Sequence, residues 1–116
     1  MVRVRRIVTD LAADDPKEVA AFYRTLFDLD VLMDQGWIVT LGAGSGPVQI
    51  SIAAEGGSGA PVPHLSIEVD DVEAVFQRAK QNEVEIIYPL TTEPWGVQRF
   101  FLRDPTGKIV NVLTHA

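Results

Sequence analysis

One order of elements is written twice along this chain of 116 residues. The first helix is announced by "AADDPKEVAAFYRTLFDLD". There Asp15 stands as N-cap, Pro16 at the first helical position and Glu18 at the third. Val19, Phe22, Tyr23, Leu26 and Phe27 then recur at helical spacing, an amphipathic pattern of about three turns. "DVLMDQGWIVTLGAG" follows as a hairpin turning near Gln35-Gly36, with Trp37, Val39 and Leu41 in alternation, and "GPVQISIAA" is a further strand. After the Gly- and Pro-rich stretch "EGGSGAPVP" the pattern begins again. "HLSIEVDD" reads as a strand, and "DDVEAVFQRAKQN" as a helix with Asp70 and Glu73 in capping-box spacing. "EVEIIYP", "VQRFFLRD" and "KIVNVLT" are three more strands. Strand-helix-strand-strand-strand, twice, is an internal repeat at the level of elements. Neither half can bury the apolar side of its strands with one helix alone, so the two must pair, within the chain or across a dimer. The fold class expected is α+β, in a single domain covering 1–116: module one about 1–54, a linker at 55–62 and module two about 63–116.

Composition narrows the function. A hydrophobic fraction of 47% with 22% charged residues is globular. No run of about 18 apolar residues occurs, so no membrane span or membrane partner is expected. "MVRVRRIVTD" is basic but lacks the apolar core of a secretory signal. The absence of cysteine excludes disulfides, thiol catalysis and thiolate metal sites, and a cytoplasmic setting is the default. The net charge of −6 argues against nucleic acid, whose phosphates call for clustered Lys and Arg. Arg3, Arg5 and Arg6 form the one such cluster. Acidity serves solubility first, and secondarily steers cationic or neutral small molecules.

Two βαβββ modules in so short a chain, "AAFYRTLFDLDV" in the first helix and "RDPTGKIVNVL" at the end, resemble the vicinal oxygen chelate superfamily. That superfamily includes glyoxalase I, extradiol dioxygenases, fosfomycin resistance enzymes and bleomycin resistance proteins, and the likeness spans essentially the whole chain. It implies two tandem βαβββ modules forming a curved mixed sheet cup, with helices on the outer face. The superfamily's metal enzymes take a His or similar ligand from the first strand of each module and a Glu from the last. Carried over residue by residue, those positions fall near Val8 or Thr9, on Gln49, on His64 and on Asn111. One imidazole and two neutral amides are a poor set for a catalytic metal, which needs about three good ligands. No metal and no other cofactor is therefore expected.

A cup lined by amides and aromatics remains. Gln49, Ser51 and Asn111 are expected to point into it, either to hold a ligand or to satisfy one another. Pro94, Trp95 and Gly96 resemble a corner of the bleomycin resistance proteins, which carry no catalytic metal and sequester an aromatic, cationic drug in two grooves of a dimer. In that comparison Trp95 and Trp37 supply stacking surfaces, although Trp37 also reads as ordinary core. Arg99 either binds a carboxylate or phosphate or is a solvated strand residue. His64 is the candidate catalytic base, or else structural. Asp104 and Gly107 belong to turn chemistry. No Ser-His-Asp signature or phosphate loop accompanies these residues. The expectation is a metal-free homodimer that sequesters an aromatic or cationic small molecule, as in antibiotic resistance. The alternative is a metal-dependent lyase, isomerase or dioxygenase of the glyoxalase kind with an atypical site around His64.

Overall fold

A computed structural model describes residues 2–44 and 46–115. It is an α+β protein, with eight strands in mixed parallel and antiparallel pairing and two helices. In chain order these are β1 (Val4–Ala12), α1 (Pro16–Phe27), β2 (Asp30–Asp34), β3 (Ile38–Gly42) and β4 (Gln49–Ala53). Then come β5 (Leu65–Val69), α2 (Val72–Gln81), β6 (Ile86–Thr92), β7 (Val97–Arg103) and β8 (Ile109–His115). The chain divides into two compact units. One is Val8–Val62; the other joins the residues through Ile7 to those from Pro63 onward, so the two ends of β1 belong to different units. No helix among the described residues is long and apolar enough to cross a membrane.

The first unit hydrogen-bonds its strands in the order β2-β3-β4-β1. β1 runs parallel to β4, and the other pairings are antiparallel. Helix α1 starts where the sequence says: Asp15 accepts a hydrogen bond from the Glu18 backbone N–H, and Pro16 opens the first turn. It ends at Asp28, in left-handed conformation, whose N–H reaches the Arg24 carbonyl. Its contact with the strands is narrower than its apolar stripe. Val19, Ala20 and Tyr23 pack on Val39, Leu41, Ile50 and Ile52. Phe22, Leu26 and Phe27 stay more than half exposed.

The second unit repeats the topology as β5-β8-β7-β6, with the start of β1 among its residues. β5 and β8 are parallel, and β8, β7 and β6 form an antiparallel meander. Phe100, Val110, Val112 and Val69 face α2 through Val72 and Ala79, and Phe76 meets the Phe100 ring edge-on at 5.0 Å between centroids. The cap of α2 lies one residue later than the capping-box spacing implies. Asp71, not Asp70, accepts from the Ala74 N–H. The Asp70 carboxylate is already engaged by the Arg3 N–H at 2.8 Å.

Two connections are more ordered than their composition suggests. In the Gly-rich stretch, Gly56 donates to the Ala60 carbonyl and Ala60 to that of Gly57. A Cβ at Gly56 would lie 2.1 Å from the Pro61 oxygen, so no other residue fits there. Before β8, one carboxylate oxygen of Asp104 accepts from Thr106 N–H, Thr106 Oγ1 and Lys108 N–H. Hydrogen bonds from Thr106 first, then Lys108, hold that carboxyl below its ordinary range. Gly107 closes the turn at φ +87.

Phe100 has no exposed surface and joins α2 to the strands of the second unit. Phe100→Ala is expected to cost about 3–5 kcal/mol of stability. Urea unfolding of wild type and variant, compared at equal slope, measures it.

Candidate functional site

Because successive residues of a strand point to opposite faces, the face left bare by each helix is readable from the core. In the second unit the even-numbered partners of β8 face α2, and Asn111, Leu113 and His115 face away. The strand registers set Ser66, Phe101 and Tyr88 in one row with Asn111, and Glu68 and Arg99 in the next row with Leu113. This face carries polar and charged groups beside its rings, where the core on the opposite face is apolar.

At its centre lies a buried ion pair. Arg99 and Glu93 are 4% and 5% exposed, with Arg99 Nε and Nη2 both 2.7 Å from Glu93 Oε2. The Tyr88 hydroxyl donates to the same oxygen at 2.8 Å. The guanidinium carbon also sits 5.0 Å from the Tyr88 ring centroid, 5.0 Å from that of Trp95 and 4.9 Å from that of Phe101. A cation over aromatic faces is attracted by their quadrupoles, most strongly when desolvated. Arg99 is therefore no solvated strand residue. It fills a three-ring cage and fastens the Trp95 loop to β7.

A second charged group lies on the same face. Glu68 divides its carboxylate between Arg6 Nε at 2.6 Å and His115 Nδ1 at 2.9 Å. Partial burial opposes its ionisation, but the hydrogen bonds and charges of His115 and Arg6 outweigh this and hold the carboxyl below the usual glutamate range.

One row along from these two charge groups, between Ser66 and Phe101, stands Asn111, 8% exposed. Its Nδ2 donates to Ser66 Oγ at 3.1 Å. Its Oδ1 is buried and has no hydrogen-bond partner, the one such side-chain atom among the described residues. An acceptor left unmet in this way costs about 1–3 kcal/mol. His64, just before β5, is exposed; its Nδ1 accepts from the Ile109 N–H at 3.3 Å.

In the first unit the face away from α1 carries Asp10, Ser51 and Thr40 in register across β1, β4 and β3. Ser51 and Thr40 are buried and share a hydrogen bond of 2.8 Å between their hydroxyls. Gln49, half-buried, donates to the Gly46 carbonyl at 3.4 Å. Trp37 lies in the turn before β3, half-buried, and its carbonyl accepts from the Ala54 N–H. The structure thus joins Trp95 to Arg99, Asn111 to Ser66 and Ser51 to Thr40. Tyr88, Phe101, Glu68, Arg6 and His115 were not among the site residues read from the sequence. The alternation of β7 and β8 was the available signal, since it puts Phe101 and Arg99 in phase with Asn111.

Two units of strand, helix and three strands, each with a polar face turned from its helix, define a class of protein. Residues 4–112 match the model of the Glyoxalase/Bleomycin resistance protein/Dioxygenase superfamily, and the chain belongs to that superfamily. A solved structure described as an NAD-dependent benzaldehyde dehydrogenase from Legionella pneumophila is 18% identical, with a TM-score of 0.78, covering 95% of this chain and 99% of that one. A glyoxalase/bleomycin resistance protein/dioxygenase superfamily member from Vibrio splendidus is 17% identical at TM-score 0.70, covering 98% and 100%. Methylmalonyl-CoA epimerase from Mycobacterium tuberculosis is 14% identical at TM-score 0.67, covering 97% and 87%. At these identities the likeness is one of fold. No curated protein sequence matches the chain significantly.

The metal centre that this superfamily implies does not suit the donors present. Among the described residues no group of three or more His, Asp or Glu is placed to hold a metal ion. In the second unit the corresponding positions hold His64, engaged with the Ile109 N–H, and the neutral amide of Asn111. Two such donors do not make a catalytic zinc or iron site.

Two expectations follow from the charge groups. Glu93→Gln leaves the Arg99 charge buried without its carboxylate, at a cost of about 3–5 kcal/mol. The double variant Glu93→Leu, Arg99→Met should lose less than that single variant, as denaturant unfolding of both would show. Glu68, with its depressed folded pKa, adds stability above its unfolded pKa that is lost as pH falls through the folded value. Acidification below the usual glutamate range should therefore destabilise wild type more steeply than Glu68→Gln, measured by melting temperature against pH.

Proposed function

We propose that this chain binds a small aromatic molecule on the face of its second unit that turns away from α2, and does so without metal chemistry. The observation that carries the reading is the Asn111 carbonyl, buried and unpartnered on a face otherwise built of paired charges and aromatic rings. Small-molecule sites combine aromatic surface with a few polar groups that fix orientation, and this face offers both. Ser66 holds the Asn111 amide, and the Arg99–Glu93 pair holds the Trp95 loop. Trp95, half-buried, then supplies aromatic surface to a planar guest. The Asn111 oxygen is closed to solvent, so a guest that reaches it must shift a neighbouring side chain. Sequestration fits these groups better than catalysis around His64, whose Nδ1 is engaged with the Ile109 backbone N–H.

Stacking on an aromatic contributes about 1 kcal/mol beyond area burial. Trp95→Ala should accordingly weaken binding of a naphthalene-type probe several-fold while the fold persists. Asn111→Leu should also weaken it, yet leave the ligand-free melting temperature unchanged or raised, because a buried, unmet polar atom has been removed. Thermal shift with a panel of aromatic compounds, run on wild type and both variants, provides the check. A destabilised Asn111→Leu variant, with no compound shifting wild type, would show Asn111 to be architecture.

A further inference from the structure

We infer that the guest of this face is a neutral planar molecule bearing an N–H or O–H donor, and not a cation. The inference rests on the binding reading above and names the chemistry of its ligand. Hydrogen-bond capacity is the first argument. The Asn111 donor side is spent on Ser66 Oγ at 3.1 Å, and what remains is a carbonyl acceptor with no partner. A guest that offers only acceptors leaves that oxygen unmet, whereas a guest with a donor satisfies it and gains orientation.

Charge is the second argument, and it stands independently. A cationic guest needs either a carboxylate to pair with or an aromatic cage to enter. Both exist here, and both are taken. Of the carboxylates that the registers and hydrogen bonds place on this face, Glu93 is paired with Arg99 and Tyr88. Glu68 is divided between Arg6 and His115. The cage of Tyr88, Trp95 and Phe101 holds the chain's own guanidinium, at 5.0, 5.0 and 4.9 Å from the three centroids. A second cation would find each of these carboxylates already matched by a cationic partner of the chain's own. An anion fares no better, because both arginines are already neutralised and the unmet end of the amide dipole is its negative one. The protein's overall acidity acts at long range on encounter and does not change this local balance.

Four probes on one ring separate these cases: 2-naphthol, 2-methoxynaphthalene, 2-naphthylmethylammonium and 2-naphthoate, titrated calorimetrically into the full wild-type chain at neutral pH. The expected result is that 2-naphthol binds about tenfold more tightly than each of the other three, and that Asn111→Leu abolishes its advantage over 2-methoxynaphthalene. The wild-type comparison stands by itself if the variant does not fold. Binding of the ammonium or the naphthoate as tight as that of 2-naphthol would overturn the inference and leave the binding reading in place. Equal binding of 2-naphthol and its methyl ether would overturn the donor requirement in the same way. Failure of all four to bind would overturn the binding reading itself.

Discussion

A β-strand sends successive side chains to opposite faces, and in each unit of this protein only one of those faces meets a helix. The rest of the molecule is arranged around that inequality. Val39, Leu41 and Ile52 in one unit, and Phe100, Val110 and Val112 in the other, lie on the covered side and make the apolar core. Ser51 and Thr40, and Asn111, Glu68 and Arg99, fall on the other side by parity alone. A shift of one residue in register would exchange the two sets and bury charges beneath the helices. The core and the candidate site are therefore one pattern seen from its two faces.

Polar groups on a largely buried face have to be met, and nearly all of them are. Arg99 is satisfied by a carboxylate and three rings, Glu68 by two basic side chains, and Ser51 by Thr40. A buried charge in low dielectric gains from its partner and loses heavily without it. Against that background the Asn111 oxygen stands out as the one buried side-chain polar atom among the described residues without a partner. The same pairing explains why the face is neutral despite a chain charge of −6.

Superfamily membership accounts for the repeat, not for the chemistry. A fold of this kind hosts many activities, and function resides in the groups mounted on it. Here the positions at which metal ligands stand in the superfamily's enzymes hold, in the second unit, one exposed imidazole and one amide. Hydrogen bonding and stacking are what those groups and their neighbours offer.

The sequence by itself determined the elements. Period-two and helical repeats placed the strands and helices, Asp15 and Pro16 marked the start of α1, and Asp104 with Gly107 marked the last turn. The positions of Asn111 and Trp95 could also be picked out, because an Asn inside an apolar strand and a Trp in a Pro-Gly corner break the local pattern. Those signals are local, set by backbone geometry within a few residues. Only the tertiary structure decided the partners. Glu93 and Arg99 are six positions apart yet meet across a hairpin, and Arg6 reaches Glu68 and Asn111 reaches Ser66 from strands far apart in the sequence. The choice of Asp71 over Asp70 as cap turned on Arg3, far away in the chain. Alternation tells which face a side chain joins, but strand order and register choose its neighbours, and a charge or an amide takes its meaning from the neighbour it meets.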